Sequence, residues 1–150
     1  MSNNSKLTNV RECIKFGTET LTNSDIQSAR LDTLLLLGNT LSQTKEYLLA
    51  HPEQELTSDQ REHFDKLIQR RTQHEPLAYI MGHKEFYGHL IRVTPDVLVP
   101  RPETEDLVEL ALHIKLDKAI VLDLGTGSGA IAISLAIARP SWSIVATDLS

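Results

Sequence analysis

Five residues of the chain combine acid and glycine in a spacing that can do chemistry: Asp123, Gly125, Gly127, Gly129 and Asp148. The first four lie in Val121-Leu122-Asp123-Leu124-Gly125-Thr126-Gly127-Ser128-Gly129. A nucleotide-like ligand must approach the backbone closely where a strand ends, and side chains there would block it. A helix that follows such a loop presents free N–H groups to the ligand. Asp148 comes 23 residues after Gly125, at the end of the next apolar run, where a carboxylate can accept both hydrogen bonds of a ribose diol. Two ligand classes compete. Gly125-x-Gly127-x-x-Ala130 satisfies the loose dinucleotide fingerprint. Asp123 discriminates, because a carboxylate two residues before the first glycine repels a pyrophosphate. S-adenosylmethionine carries an ammonium and a sulfonium and no phosphate, so an acid at the strand end suits it. The methyl donor is therefore preferred over NAD. The bland alternative is a glycine-rich turn with no ligand.

The elements around this loop must form a β-α-β unit. Residues 119–124 are apolar except Asp123, residues 131–138 form an apolar helix that stops before Pro140, and residues 144–147 give a second strand. Continuous apolar strands around a helix predict a parallel sheet covered on both faces. Upstream, the first 75 residues contain only Gly17, Gly38 and Pro52, whereas Pro76, Pro95, Pro100 and Pro102 crowd into a short stretch. A helical front and an irregular middle follow. In the front, Leu7, Val10, Ile14 and Leu21 give a helical stripe. Ser24 is a candidate N-cap for a helix over 26–37 that ends at Gly38 as its C′ residue. A short helix is expected over 44–50, and Thr57-x-x-Gln60 forms a capping box for a fourth carrying Phe64, Leu67 and Ile68. In the middle, residues 85–87 and 90–93 around Gly88-His89 read as a hairpin. Pro102 suits a first helical turn, Glu103, Glu105 and Asp106 oppose the positive end of its dipole, and Leu107, Leu110, Ala111 and Ile114 give its apolar face.

Composition sets the class. The 150 residues are 41% hydrophobic and 23% charged, with a net charge of −5. The acid excess is even along the chain, which excludes a basic domain that binds nucleic acid by bulk charge. One cysteine, Cys13, excludes an intramolecular disulfide framework and a multi-cysteine zinc site. The start carries no apolar signal core and no run approaches the ~18 apolar residues of a membrane span. A soluble, cytoplasmic protein without membrane or metal partner is expected.

Further motifs narrow the family. Pro76-Leu77-Ala78-Tyr79-Ile80-Met81-Gly82, then Glu85-Phe86-Tyr87-Gly88, then Val97-Leu98-Val99-Pro100-Arg101-Pro102-Glu103-Thr104-Glu105 precede the glycine loop. Together with residues 119–150, which resemble the first motifs of class I S-adenosylmethionine-dependent methyltransferases, they resemble the HemK/PrmC family. Those enzymes are peptide chain release factor N5-glutamine methyltransferases. The resemblance implies methylation of the glutamine side-chain amide in the Gly-Gly-Gln motif of class 1 release factors. It also implies that Gly125, Thr126, Gly127, Ser128 and Gly129 line the donor, that Asp148 holds its ribose and that Asp123 lies beside its methionine moiety. The implied architecture is α + α/β: a helical, release-factor-docking domain over 1–75, a hairpin and proline-rich linker over 76–102, and over 103–150 the opening of a Rossmann-like methyltransferase domain. The family frees the amide lone pair with an Asn-Pro-Pro-Tyr motif, and this sequence contains none. The chain is therefore expected to be an incomplete methyltransferase, inactive alone, with no catalytic residue of its own.

Other candidates have plainer readings. Arg101 could touch substrate, or could stiffen a linker by pairing with a nearby carboxylate. Glu103 and Glu105 read as dipole partners rather than acid/base groups. The six histidines show no metal spacing, including His83 and His89 across the hairpin. Cys13 reads as a packed thiol, and Arg70-Arg71 as a solvated helix end. Competing functions are a non-catalytic docking module for release factors, a methyltransferase acting on another protein or on nucleic acid, and an NAD-dependent oxidoreductase, which Asp123 disfavours.

Overall fold

The computed structural model describes residues 9–149, in two compact units that divide between Met81 and Gly82. Leu7, expected in the first helical stripe, lies outside the described residues. The first unit is all helical: α1 (Val10–Thr22), α2 (Ala29–Leu41), α3 (Lys45–Ala50), α4 (Ser58–Thr72) and α5 (Leu77–Met81). Its caps follow local chemistry. Asn9 Oδ1 accepts from Glu12 N at the start of α1, and Thr44 Oγ1 from Tyr47 N at the start of α3. Thr57 and Gln60 close both halves of the capping box on α4.

α2 packs against each of the other four helices, which explains a sequence that is apolar nearly all round. The buried stripe of α1 is Val10, Cys13, Gly17 and Leu21, with Ile14 only partly buried at its side. The small residues in that stripe allow close approach. A Cβ on Gly17 would lie 2.7 Å from Thr33 Cγ2 of α2 and 3.1 Å from Phe64 Cζ of α4. Two boundaries differ from expectation. Ser24 does not cap α2; its hydroxyl donates back to Thr20 O in α1, and α2 starts at Ala29. Gly38 does not end α2 but sits inside it, where a Cβ would lie 2.6 Å from Gln43 O. The glycine lets the next loop's backbone close on the helix. Arg71 is also not solvated. Its Nε donates to Asp32 Oδ2 at 2.8 Å and its Nη1 to Glu75 O at 3.0 Å, and the Asp32 side chain is 6% exposed. Arg70 pairs instead with Glu75, whose carboxyl it holds below the usual carboxylate range.

The second unit joins an antiparallel hairpin, β1 (His83–Phe86) and β2 (His89–Arg92), to a 3-10 turn (Pro102–Thr104), α6 (Glu105–Leu112), β3 (Ile120–Leu124), α7 (Ala130–Ala138) and β4 (Ser143–Thr147). The hairpin turns at Tyr87-Gly88, with φ of +50° and +74°, the left-handed pair that suits the strand twist. Glu105 Oε1 accepts the Tyr87 N–H at 3.1 Å and so ties the turn to α6. β3 and β4 pair in parallel, from Ile120 opposite Ser143 to Leu124 opposite Thr147. One core unites Phe86, Ile91, Val108, Ala130, Leu135 and Trp142. The apolar face of α6 matches expectation only at Ala111, which packs with Leu112 beside the fully buried Val108, while Leu107, Leu110 and Ile114 are exposed. The sheet is also not covered on both faces in this chain. Ile120, Leu122 and Leu124 are 86%, 56% and 73% exposed. No helix among the described residues is long and apolar enough to cross a membrane.

Two outcomes are expected from the helical unit. Gly17→Ala gains ~1 kcal/mol of helix propensity but drives a methyl group into Thr33 and the buried Phe64. Net destabilisation of about 1–2 kcal/mol in urea unfolding is expected, and a stabilised variant would contradict the close approach. Burial pushes the Cys13 thiol up to about 11. The unfolded thiol ionises near ~8.5, so above that pH the unfolded chain binds fewer protons and stability falls as pH rises toward the folded value. In parallel urea titrations, Cys13→Ala should show a shallower decline over that window. Equal slopes would contradict the burial of the thiol.

Candidate functional site at the glycine loop

The loop between β3 and α7 begins where the parallel register places Leu124 beside Thr147. The carbonyl oxygen of Thr147 accepts two amide hydrogens, from Gly125 N at 2.8 Å and Thr126 N at 3.0 Å. The chain then turns through Gly125, Gly127 and Gly129, with φ of +70°, +54° and +77°. Residues with a Cβ rarely adopt these angles. A Cβ on Gly125 or Gly127 would meet nothing within 4 Å. Backbone conformation therefore favours glycine at both positions, and the loop leaves open space above it.

The two acids flank the loop from opposite sides. Asp123, half-buried on β3, accepts the Thr126 hydroxyl hydrogen on Oδ2 at 2.7 Å. Its Oδ1 has no hydrogen-bond partner among the described residues. Asp148 follows β4 and accepts from Gly127 N on Oδ2 at 2.6 Å and from Leu149 N on Oδ1 at 2.8 Å. Gly129 N donates to Thr126 O at 2.9 Å. The amide hydrogens of Gly125, Thr126, Gly127 and Gly129 are thus all engaged within the protein. Ser128 is half-buried in the same loop. The structure brings Asp123, residues 125–129 and Asp148 together in one cradle. Two carboxylates flank the loop, a donor set that suits a ligand bearing a cation and a diol better than a pyrophosphate.

The remaining candidates lie elsewhere. Arg101 is exposed, and its side chain makes no ion pair or hydrogen bond among the described residues; only its carbonyl is engaged, by Thr104 N. The linker reading that pairs it with a carboxylate is therefore not realised. His83 lies opposite Arg92 and His89 opposite Phe86, so the two histidines stand at opposite ends of the hairpin. Among the described residues no group of three or more His, Cys, Asp or Glu could hold a metal ion. Sequence reasoning missed two interactions at this end of the chain. The Thr126–Asp123 hydrogen bond had a local signal, a threonine three residues after the acid. The Asp148–Gly127 bond had none.

Comparison with known proteins supplies relatives. The family model described as the PrmC N-terminal domain matches residues 12–82. A release factor glutamine methyltransferase of Coxiella burnetii is 46% identical over 94% of this chain and 51% of its own length. A protein of the same name from Koribacter versatilis is 46% identical over 85% of the chain and 46% of its own length. One from Aliivibrio fischeri is 37% identical over 93% of the chain and 49% of its own length. The chain spans about half the length of the curated relatives it matches. The front of the chain thus matches the PrmC N-terminal domain, and nearly its whole length is similar to about half of each of these release factor glutamine methyltransferases.

Proposed function

We propose that this chain supplies the donor-binding opening of a Rossmann-like, S-adenosylmethionine-dependent methyltransferase that modifies the Gly-Gly-Gln glutamine of class 1 release factors in the cytoplasm, during translation termination. The observation that carries the donor assignment is the charge of the cradle. Two carboxylates flank a loop whose amides at Gly125, Thr126, Gly127 and Gly129 are already engaged. A dinucleotide needs those amides for its phosphates. The names of the relatives support the acceptor.

The residues divide the work. Asp123 offers Oδ1 to the ammonium of the methionine moiety, an opposite-charge contact on a half-buried side chain. Asp148 accepts the ribose hydroxyls, because a carboxylate has lone pairs for about four hydrogen bonds. Gly125, Gly127, Gly129 and Ser128 keep the loop low so that the adenosine can approach the backbone. When bound, the donor supplies an electrophilic methyl group on a sulfonium. An amide nitrogen is a poor nucleophile and must be held in line with that methyl while its hydrogens are accepted. Asn-Pro-Pro-Tyr would do this in the family and is absent from this sequence, so donor binding and methyl transfer separate in this chain. The helical unit is assigned to docking of the release factor, and exposed Arg101 and the hairpin, in the other unit, are each assigned to substrate contact.

Calorimetry tests the reading. The chain is expected to bind S-adenosylmethionine and not NAD, and Asp148→Ala should weaken donor binding by about tenfold or more. Incubation with a class 1 release factor should give binding without methyl transfer. Binding of NAD in place of the donor would sink the assignment. Methyl transfer by the chain alone would refute the separation of the two steps.

A further inference from the structure

We propose that Thr126 is a positioning residue, whose hydroxyl aims the Asp123 carboxylate at the donor's ammonium group and does not itself touch the donor. This rests on the donor reading above. Asp123 alone, at the end of a strand, would swing freely, because the terminal torsion of an aspartate is broad. Thr126 removes that freedom. Gly125, at φ +70°, folds the chain back so that residue 126 stands over the strand end. Both donors of Thr126 are then committed, its N–H to Thr147 O at 3.0 Å and its hydroxyl to Asp123 Oδ2 at 2.7 Å. The β-branched side chain is stiff about its first torsion, and a hydroxyl-to-carboxylate bond is of the strong, charge-assisted kind. With Oδ2 anchored, Oδ1 is left without a hydrogen-bond partner among the described residues. The hydroxyl hydrogen is spent on the acid, so Thr126 has none to offer a ligand.

A ligand pair separates this role from a merely structural one. S-adenosylhomocysteine carries the amino-acid ammonium, whereas 5′-methylthioadenosine keeps the adenosine and lacks the amino acid. Both are titrated calorimetrically into the chain, into Thr126→Val, which keeps the branched shape and the backbone N–H, and into Thr126→Ser, which keeps the hydroxyl. Thr126→Val should weaken S-adenosylhomocysteine by about tenfold while leaving 5′-methylthioadenosine within about twofold, and Thr126→Ser should recover most of the loss. Equal weakening of both ligands by Thr126→Val would make Thr126 a loop-shaping residue only and overturn the proposal. So would no change for either. Both of those results leave the donor reading standing, because the unaltered chain still binds. Failure of the unaltered chain to bind either nucleoside overturns the donor reading and this proposal with it.

Discussion

The glycine loop depends on a single carbonyl oxygen. Thr147 O accepts from both Gly125 N and Thr126 N, and that double acceptance fastens the start of the loop to the end of the neighbouring strand. The parallel register brings it there, since Leu124 lies opposite Thr147. Once the two ends are joined, the chain must climb through left-handed conformations at Gly125 and Gly127. The same climb carries the Thr126 hydroxyl over Asp123 and sets the Gly127 amide in front of Asp148. The two acids are thus placed by backbone pairing before any side chain chooses its rotamer.

In the helical unit, steric exclusion plays the equivalent part. Gly17 and Gly38 are helical glycines whose entropic cost in a helix interior is ~1 kcal/mol each. Each stands where another atom occupies the space of a Cβ: Thr33 and Phe64 at the first, the Gln43 carbonyl at the second. Close approach of α1 and α2 buries Cys13, Leu21, Leu36 and Leu37 completely, which offsets that cost. Asp32, buried at the same helix, is matched by Arg71 from α4. A buried carboxylate without such a partner is strongly destabilising.

Some of this was legible in the sequence, and the distinction is one of range. Thr57-x-x-Gln60 announced its helix start because a cap needs only residues three apart. The strand, glycine loop, helix and strand were legible from period and punctuation, and so was the gathering of Asp123 and Asp148 at one loop. Gly38 was misread because glycine after an apolar run signals a helix end locally, while the carbonyl that requires it belongs to the next loop. The buried face of α6 was misassigned for a similar reason. Leu107, Leu110 and Ile114 form as good a stripe as Val108, Ala111 and Leu112, and only the partner on the other side distinguishes them. Arg71 reads as an exposed cation until Asp32, 39 residues earlier, is brought beside it.

The hairpin turn shows what such a long-range tie means for substitution at either end. Tyr87 holds a left-handed conformation that glycine or asparagine would adopt more readily, yet it packs against the Phe86 and Trp142 cluster. Relaxing the backbone there forfeits the packing of its side chain against that cluster, so neither replacement is a simple improvement. The amide of this residue is held by Glu105, which lies in a different motif of the chain. Because the tie runs to a backbone amide, it survives most side-chain changes at 87 and is lost with the carboxylate at 105. The turn 18 residues upstream is thus anchored by Glu105 and not by its own side chains.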